Sequence, residues 1–123
     1  MATNQFSRHN IASVSNSDSS KTTLFTMTAG AGSTAKASII IGCLVCNKTA
    51  TNATINIQND TAVSGHVDVM LVNALTVPAN SSVELGLGKY VLMHNGTTGD
   101  VLKSWGSAAS TFDISLSILE DVN

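Results

Sequence analysis

Between Thr22 and Leu119 the chain alternates short apolar runs with polar residues, and turn signals interrupt it about every dozen residues. Thr22 to Thr28 is the first predicted strand, centred on Leu24 and Phe25. Ala35 to Asn47 is the second, and its run Ile39-Ile-Ile-Gly-Cys-Leu-Val-Cys46 is dense in β-branched residues. Such a run predicts a strand covered on both faces, or one that changes face at Gly42. Ala53 to Gln58 alternates Ile55 and Ile57 with Asn56 and Gln58, the period of a half-buried strand. His66 to Val77 follows with Val67, Val69 and Leu71 as one face. Val83, Leu85 and Leu87 mark a fifth strand, Tyr90 to His94 a sixth and Val101 to Trp105 a seventh. Phe112, Ile114, Leu116 and Ile118 form one apolar face of the eighth.

The punctuation between these runs is turn chemistry. Ala29-Gly-Ala-Gly-Ser-Thr34 reads as a flexible loop, Pro78-Ala-Asn-Ser-Ser82 as a turn headed by the single proline, and Asn95-Gly96 as a tight turn. No amphipathic helical period of useful length occurs. The prediction is an all-β fold, an antiparallel β-sandwich of about eight strands, jelly-roll-like or immunoglobulin-like.

Residues 1–20 break the pattern. Phe6, Ile11 and Val14 are isolated, and Ser13 to Ser20 is almost wholly Ser, Asn and Asp. This stretch is expected to be an extended N-terminal arm, disordered alone or ordered across a neighbouring subunit, with the sandwich domain at 21–123. On that expectation, removal of residues 1–20 leaves the domain folded. Phe6, Ile11 and Val14 of the arm, together with Trp105, are the candidate assembly contacts, because aromatic and apolar anchors concentrate at interface centres. For Trp105 the competing reading is core filling.

Composition narrows the function. Of 123 residues only 11% are charged, against 43% hydrophobic, with a net charge of −2. The polar surface is therefore built from Ser, Thr, Asn and Gly, and a surface so short of charge tolerates close self-packing. Six scattered Lys and Arg residues form no basic stripe, so no nucleic-acid partner is expected. No apolar run approaches the ~20 residues of a membrane span. The opening Met1-Ala-Thr-Asn-Gln-Phe-Ser-Arg-His9 lacks an apolar signal core, so secretion by a standard signal is not expected. The Asn-x-Ser/Thr triplets at Asn47, Asn52, Asn59, Asn80 and Asn95 then read as products of composition.

No constellation predicts catalysis, a metal or a cofactor. Cys43-x-x-Cys46 lies in a strand-like run, where residues three apart point to opposite faces, so the pair is expected to be two buried thiols. His9, His66 and His94 have no nameable catalytic partners, and no Gly-x-Ser-x-Gly elbow exists. Gly30-Ala-Gly-Ser-Thr-Ala-Lys36 lacks the phosphate-loop pattern. Asp68 and Glu84 are the one carboxylate pair that adjacent strands could juxtapose, with a solvated face as the favoured reading.

Three segments carry a family resemblance: Leu75-Thr-Val-Pro-Ala-Asn-Ser-Ser-Val-Glu-Leu85, Gly88-Lys-Tyr-Val-Leu92, and Gly99-Asp-Val-Leu-Lys-Ser-Trp105. With the closing Phe-Asp-Ile-Ser-Leu-Ser-Ile-Leu-Glu120, and in the front half Lys21-Thr-Thr-Leu-Phe-Thr26, Val45-Cys-Asn47 and Ala53-Thr-Ile-Asn-Ile57, the chain resembles small virion structural proteins of tailed bacteriophages. The resemblance spans about residues 20–120. It implies a non-enzymatic β-sandwich that decorates or cements a capsid, or forms part of a neck, collar or fibre attachment. The implied location is the virion, and the implied partners are further copies of the chain and other virion proteins such as capsid or neck proteins. The alternative expectation is a carbohydrate-binding module on the virion surface that meets a host glycan. Only five aromatic residues, Phe6, Phe25, Tyr90, Trp105 and Phe112, are available to stack on sugar rings.

Overall fold

The computed structural model describes residues 5–122 apart from 18, 30, 31, 33, 34, 62 and 64, with side chains described as far as Glu120. Among the described residues there is no helix, and nine strands form two antiparallel sheets. The strands are β1 (Gln5–Ile11), β2 (Thr22–Thr26), β3 (Lys36–Asn47), β4 (Ala53–Thr61), β5 (Val69–Val77), β6 (Ser81–Leu85), β7 (Val91–His94), β8 (Asp100–Gly106) and β9 (Phe112–Val122). All eight predicted strands are present within a few residues of their expected bounds. The phosphate-loop question and most of the Gly30–Thr34 loop fall outside the described residues.

One sheet runs β1-β9-β3-β6, with β7 also paired to β3; the other runs β2-β8-β4-β5. β6 and β7 flank β3 in succession, β6 against Cys43–Asn47 and β7 against Lys36–Ile39. They act as two halves of one interrupted strand. Counted so, eight strands lie in the orders 1-8-3-6 and 2-7-4-5. Almost every connection crosses from one sheet to the other. This is the doubly crossed Greek-key order of a jelly roll, and it removes the immunoglobulin-like alternative, whose consecutive strands group differently.

The core lies between the sheets. Ile40, Cys43 and Val45 of β3 and Ile114, Leu116 and Ile118 of β9 face Ile55 and Ile57 of β4 and Leu102 of β8. Each fully buried Ile or Leu contributes about 1.5–3 kcal/mol relative to exposure. Gly106 is required by this packing, because a Cβ there would stand 2.8 Å from the Phe112 ring.

The N-terminal stretch corrects the expectation of a detached arm. Gln5–Ile11 is extended, but it pairs in unbroken register with β9 of the same chain, from Gln5↔Glu120 to Ile11↔Ile114. Val14 is fully buried in the core, and its N–H donates to the Phe112 carbonyl at 3.0 Å. The physical reason is the edge of β9: without β1 it would leave a row of backbone groups unpaired beside an apolar face. The serines that follow are knitted into a turn. Ser15 N–H donates to Thr22 Oγ1 at 2.9 Å, and its carbonyl accepts from Gly106 N–H at 2.8 Å.

β3 changes register at a bulge between Ile40 and Gly42. Ile39, Ile41 and Leu44 thereby point away from the core while Ile40, Cys43 and Val45 point into it. β5 is also irregular, with register breaks against β4 and Ala74 at a φ of 52°. Val67, expected on the buried face of this strand, lies in the preceding loop and is 75% exposed.

Candidate functional site

The two outer faces of the sandwich differ in chemistry. On the β2-β8-β4-β5 sheet the outward residues of β4 and β8 are tied to one another. Lys103 Nζ meets Asp60 Oδ2 at 2.7 Å, and this bond holds the Asp60 carboxyl below the usual carboxylate range. Lys21 Nζ donates to Gln58 Oε1 at 3.1 Å and stands 5.0 Å from the centre of the Trp105 ring. Trp105 is thus neither core nor an open anchor. It lies half-buried on this face under a cation.

The outer face of the other sheet carries an apolar row. Register places Phe6 opposite Leu119, Leu119 opposite Ile39, and Ile39 opposite Val91. The four residues therefore stand side by side across β1, β9, β3 and β7, all on the outward side. Phe6 is 77% exposed, and Ile41 and Met93 extend the patch. One step along the strands the row turns polar, with Arg8 opposite Ser117 and Ser117 opposite Gly42. Gly42 has no side chain, and Glu84 of β6 leans into that space, its Oε1 3.7 Å from where a Cβ would stand. Arg8 and Glu84 are both exposed, lie toward opposite edges of the sheet, and enter none of the ion pairs among the described residues. The far end of the face mixes polar Asn10, Ser115 and Asp113 with the exposed Leu44, which stands opposite Ser115. Lys48 pairs with Asp113 at 3.0 Å and, with the Ser13 N–H, keeps its carboxyl below the ordinary range.

The four residues singled out from the sequence do not converge. Phe6 lies in the apolar row, Ile11 packs at the margin of the core, Val14 is inside it, and Trp105 is on the opposite outer face. The residues that accompany Phe6, namely Leu119, Ile39, Ile41, Val91 and Met93, were missed. The signal for them was present in β3, whose apolar residues fall on both faces.

Cys43 is buried, and burial pushes its thiol up to about 12. Cys46, expected to be buried, instead points outward and is only partly covered beside Leu44 and Ser115 in a shallow groove, because the second sheet packs on the other side of β3. The two thiols therefore face opposite sides of β3. Asp68 and Glu84 do not meet. Asp68 Oδ1 accepts from Thr61 N–H at 2.7 Å at one end of the sandwich, whereas Glu84 stands on the outer face. His9 is turned inward against the Phe25 ring, with its Nε2 3.7 Å from Glu120. Among the described residues no three His, Cys, Asp or Glu side chains gather as a metal site, and no helix is long and apolar enough to cross a membrane.

A second feature lies at the end of the sandwich where β4 and β8 leave the core. A cleft of about 320 Å3 is bounded by Asn59, Thr61, Val67, Val69, Tyr90 and Asp100. No family model matches the chain, and no curated protein or solved structure matches it.

Proposed function

We propose that this chain is a structural component of a tailed-phage virion, decorating or cementing the capsid or contributing to the neck, collar or fibre attachment, and that it associates with copies of itself through the outer face of its β1-β9-β3-β6 sheet. The placement on a virion rests on the sequence resemblance. The association rests on one observation, the row Phe6–Leu119–Ile39–Val91 on a face that no described part of the chain covers. β3 has the composition of a strand covered on both sides, yet the second sheet covers only one. The other outer face has an ion pair and hydrogen bonds across β2, β4 and β8, and its exposed apolar side chains, such as Met70, lie on the edge strand β5 rather than in a row across the sheet.

A second copy suits this face. Two such sheets stacked about a two-fold axis that runs along the strands, between β9 and β3, set Phe6 over Val91 and Leu119 over Ile39. The same operation sets Arg8 of each copy toward Glu84 of the other. Such a contact is self-complementary, as an isologous interface must be.

Native mass spectrometry of the full chain from about 1 to about 100 μM tests the association, since a contact of modest area gives micromolar affinity. A dimer is expected, with Ile39→Lys shifting it to monomer while the far-ultraviolet circular dichroism is unchanged. A wild-type chain that stays monomeric throughout overturns the association. Mass spectrometry of purified particles from the encoding phage tests the location, and absence of the chain from those particles overturns it.

A further inference from the structure

We infer that the cleft at the β4–β8 end of the sandwich is a binding site for a neutral, hydroxyl-rich ligand of monosaccharide size, the terminal sugar of a glycan. Val91 and Met93 of the self-association face also border this cleft, but the inference rests on the inward-lying Asn59 and stands if that face fails.

The site is carried by Asn59. This residue is 5% exposed, and from the inward side of β4 it lines the cleft. Its Nδ2 donates to Tyr90 Oη at 2.9 Å, while its Oδ1 is the one buried side-chain polar atom without a partner among the described residues. Buried acceptors are almost always satisfied, so an orphan at the wall of an open cleft marks where a donor belongs. Asp100, also 5% exposed, stands nearby at the start of β8. Its Oδ2 is held by Met93 N–H at 3.0 Å. Tyr90 Oη, having accepted from Asn59, keeps its own proton to donate.

The lining selects the ligand. Asn59 Oδ1 and the Asp100 carboxylate want donors, and among the described residues no Lys or Arg borders the cleft; His66 is the one basic side chain in its lining, set against the Asp100 carboxylate. Val67 and Val69 supply an apolar wall. A pyranose presents hydroxyl donors along its rim and C–H groups on its faces, which matches both. At about 320 Å3 the space is roughly ten times the ~30 Å3 share of one water and lies at the small end of ligand sites.

The test is amide-resolved NMR of the full chain titrated separately with glucose, galactose and N-acetylglucosamine to about 100 mM, a range that captures millimolar single-sugar affinity. Saturable shifts confined to the amides around Asn59, Tyr90 and Asp100 are expected with at least one sugar. Asn59→Leu, which replaces the orphaned amide by an apolar group of like size, is expected to weaken that binding at least tenfold with the oligomeric mass unchanged. Asp100→Asn retains an acceptor for Met93 N–H and serves if Asn59→Leu does not fold; a loss of about fivefold is expected. Linear shifts with all three sugars overturn the inference. So does undiminished binding by the folded Asn59→Leu variant, or by Asp100→Asn where that variant is used in its place.

Discussion

Cys43 and Cys46 show how a period of two decides chemistry. Three positions apart on a strand, they face opposite ways, so the motif that serves redox enzymes at a helix start has no function of that kind here. Burial raises the Cys43 thiol to about 12, which leaves essentially no thiolate at neutral pH, whereas Cys46 is open to solvent along one side. Brief treatment of the native chain with N-ethylmaleimide is expected to give a single adduct at Cys46, with Cys43 modified only after unfolding. Equal labelling of both would mean that β3 is not held in the sheet as described. That the two thiols face opposite ways was legible in the sequence, because it depends only on alternation. The partial exposure of Cys46 and the surroundings of Trp105 were not. Whether an outward residue meets solvent or a neighbour such as Lys21 is a matter of register between strands distant in sequence.

At the level of elements, the eight strands between Thr22 and the C-terminus were readable because alternation and turn residues agree there. β1 was not, because its sequence Gln-Phe-Ser-Arg-His-Asn-Ile has no apolar alternation. An edge strand needs little of its own: backbone pairing to β9 and three half-buried residues, Ser7, His9 and Ile11, hold it. The bulge of β3 was half-visible as a possible change of face at Gly42. The irregularity of β5 left no such mark. There Ala74 adopts a φ of 52° with its N–H bonded to Asn56 Oδ1 at 2.8 Å, a tertiary bond that no local pattern reveals. The sequence expectation that residues 1–20 are dispensable for folding is therefore reversed. Truncation through Ser20 removes β1, exposes the edge of β9 and takes Val14 out of the core, a loss of about 2–4 kcal/mol from the cavity alone. The truncated chain is expected to unfold at least about 10 °C below the full chain in calorimetry, given the ~4–8 °C per kcal/mol typical of small domains. An unchanged midpoint would show that β1 is only loosely applied.

Taken whole, the molecule has one outer face stitched by its own ion pair and hydrogen bonds and another that ends in an apolar row. Low charge makes the difference consequential, since there is little repulsion to keep two such rows apart. Four strands at a spacing of ~4.8 Å and some seven residues of length outline a face of roughly 19 by 24 Å, the footprint of a weak rather than an obligate dimer. In a contact that size, orientation is set by the few charges present, and Arg8 and Glu84 are the pair that the two-fold arrangement brings together. Arg8→Glu would then set two carboxylates against each other in each of two symmetric places. The dimer dissociation constant is expected to rise at least about fivefold at low ionic strength, with less change at high salt, because exposed charges are screened. Glu84→Arg added to the same chain restores opposite charges at both places, so the double variant is expected to recover most of the lost affinity in sedimentation equilibrium. A double variant weaker than either single one would mean that the copies do not meet in this orientation, even if the apolar row is where they touch.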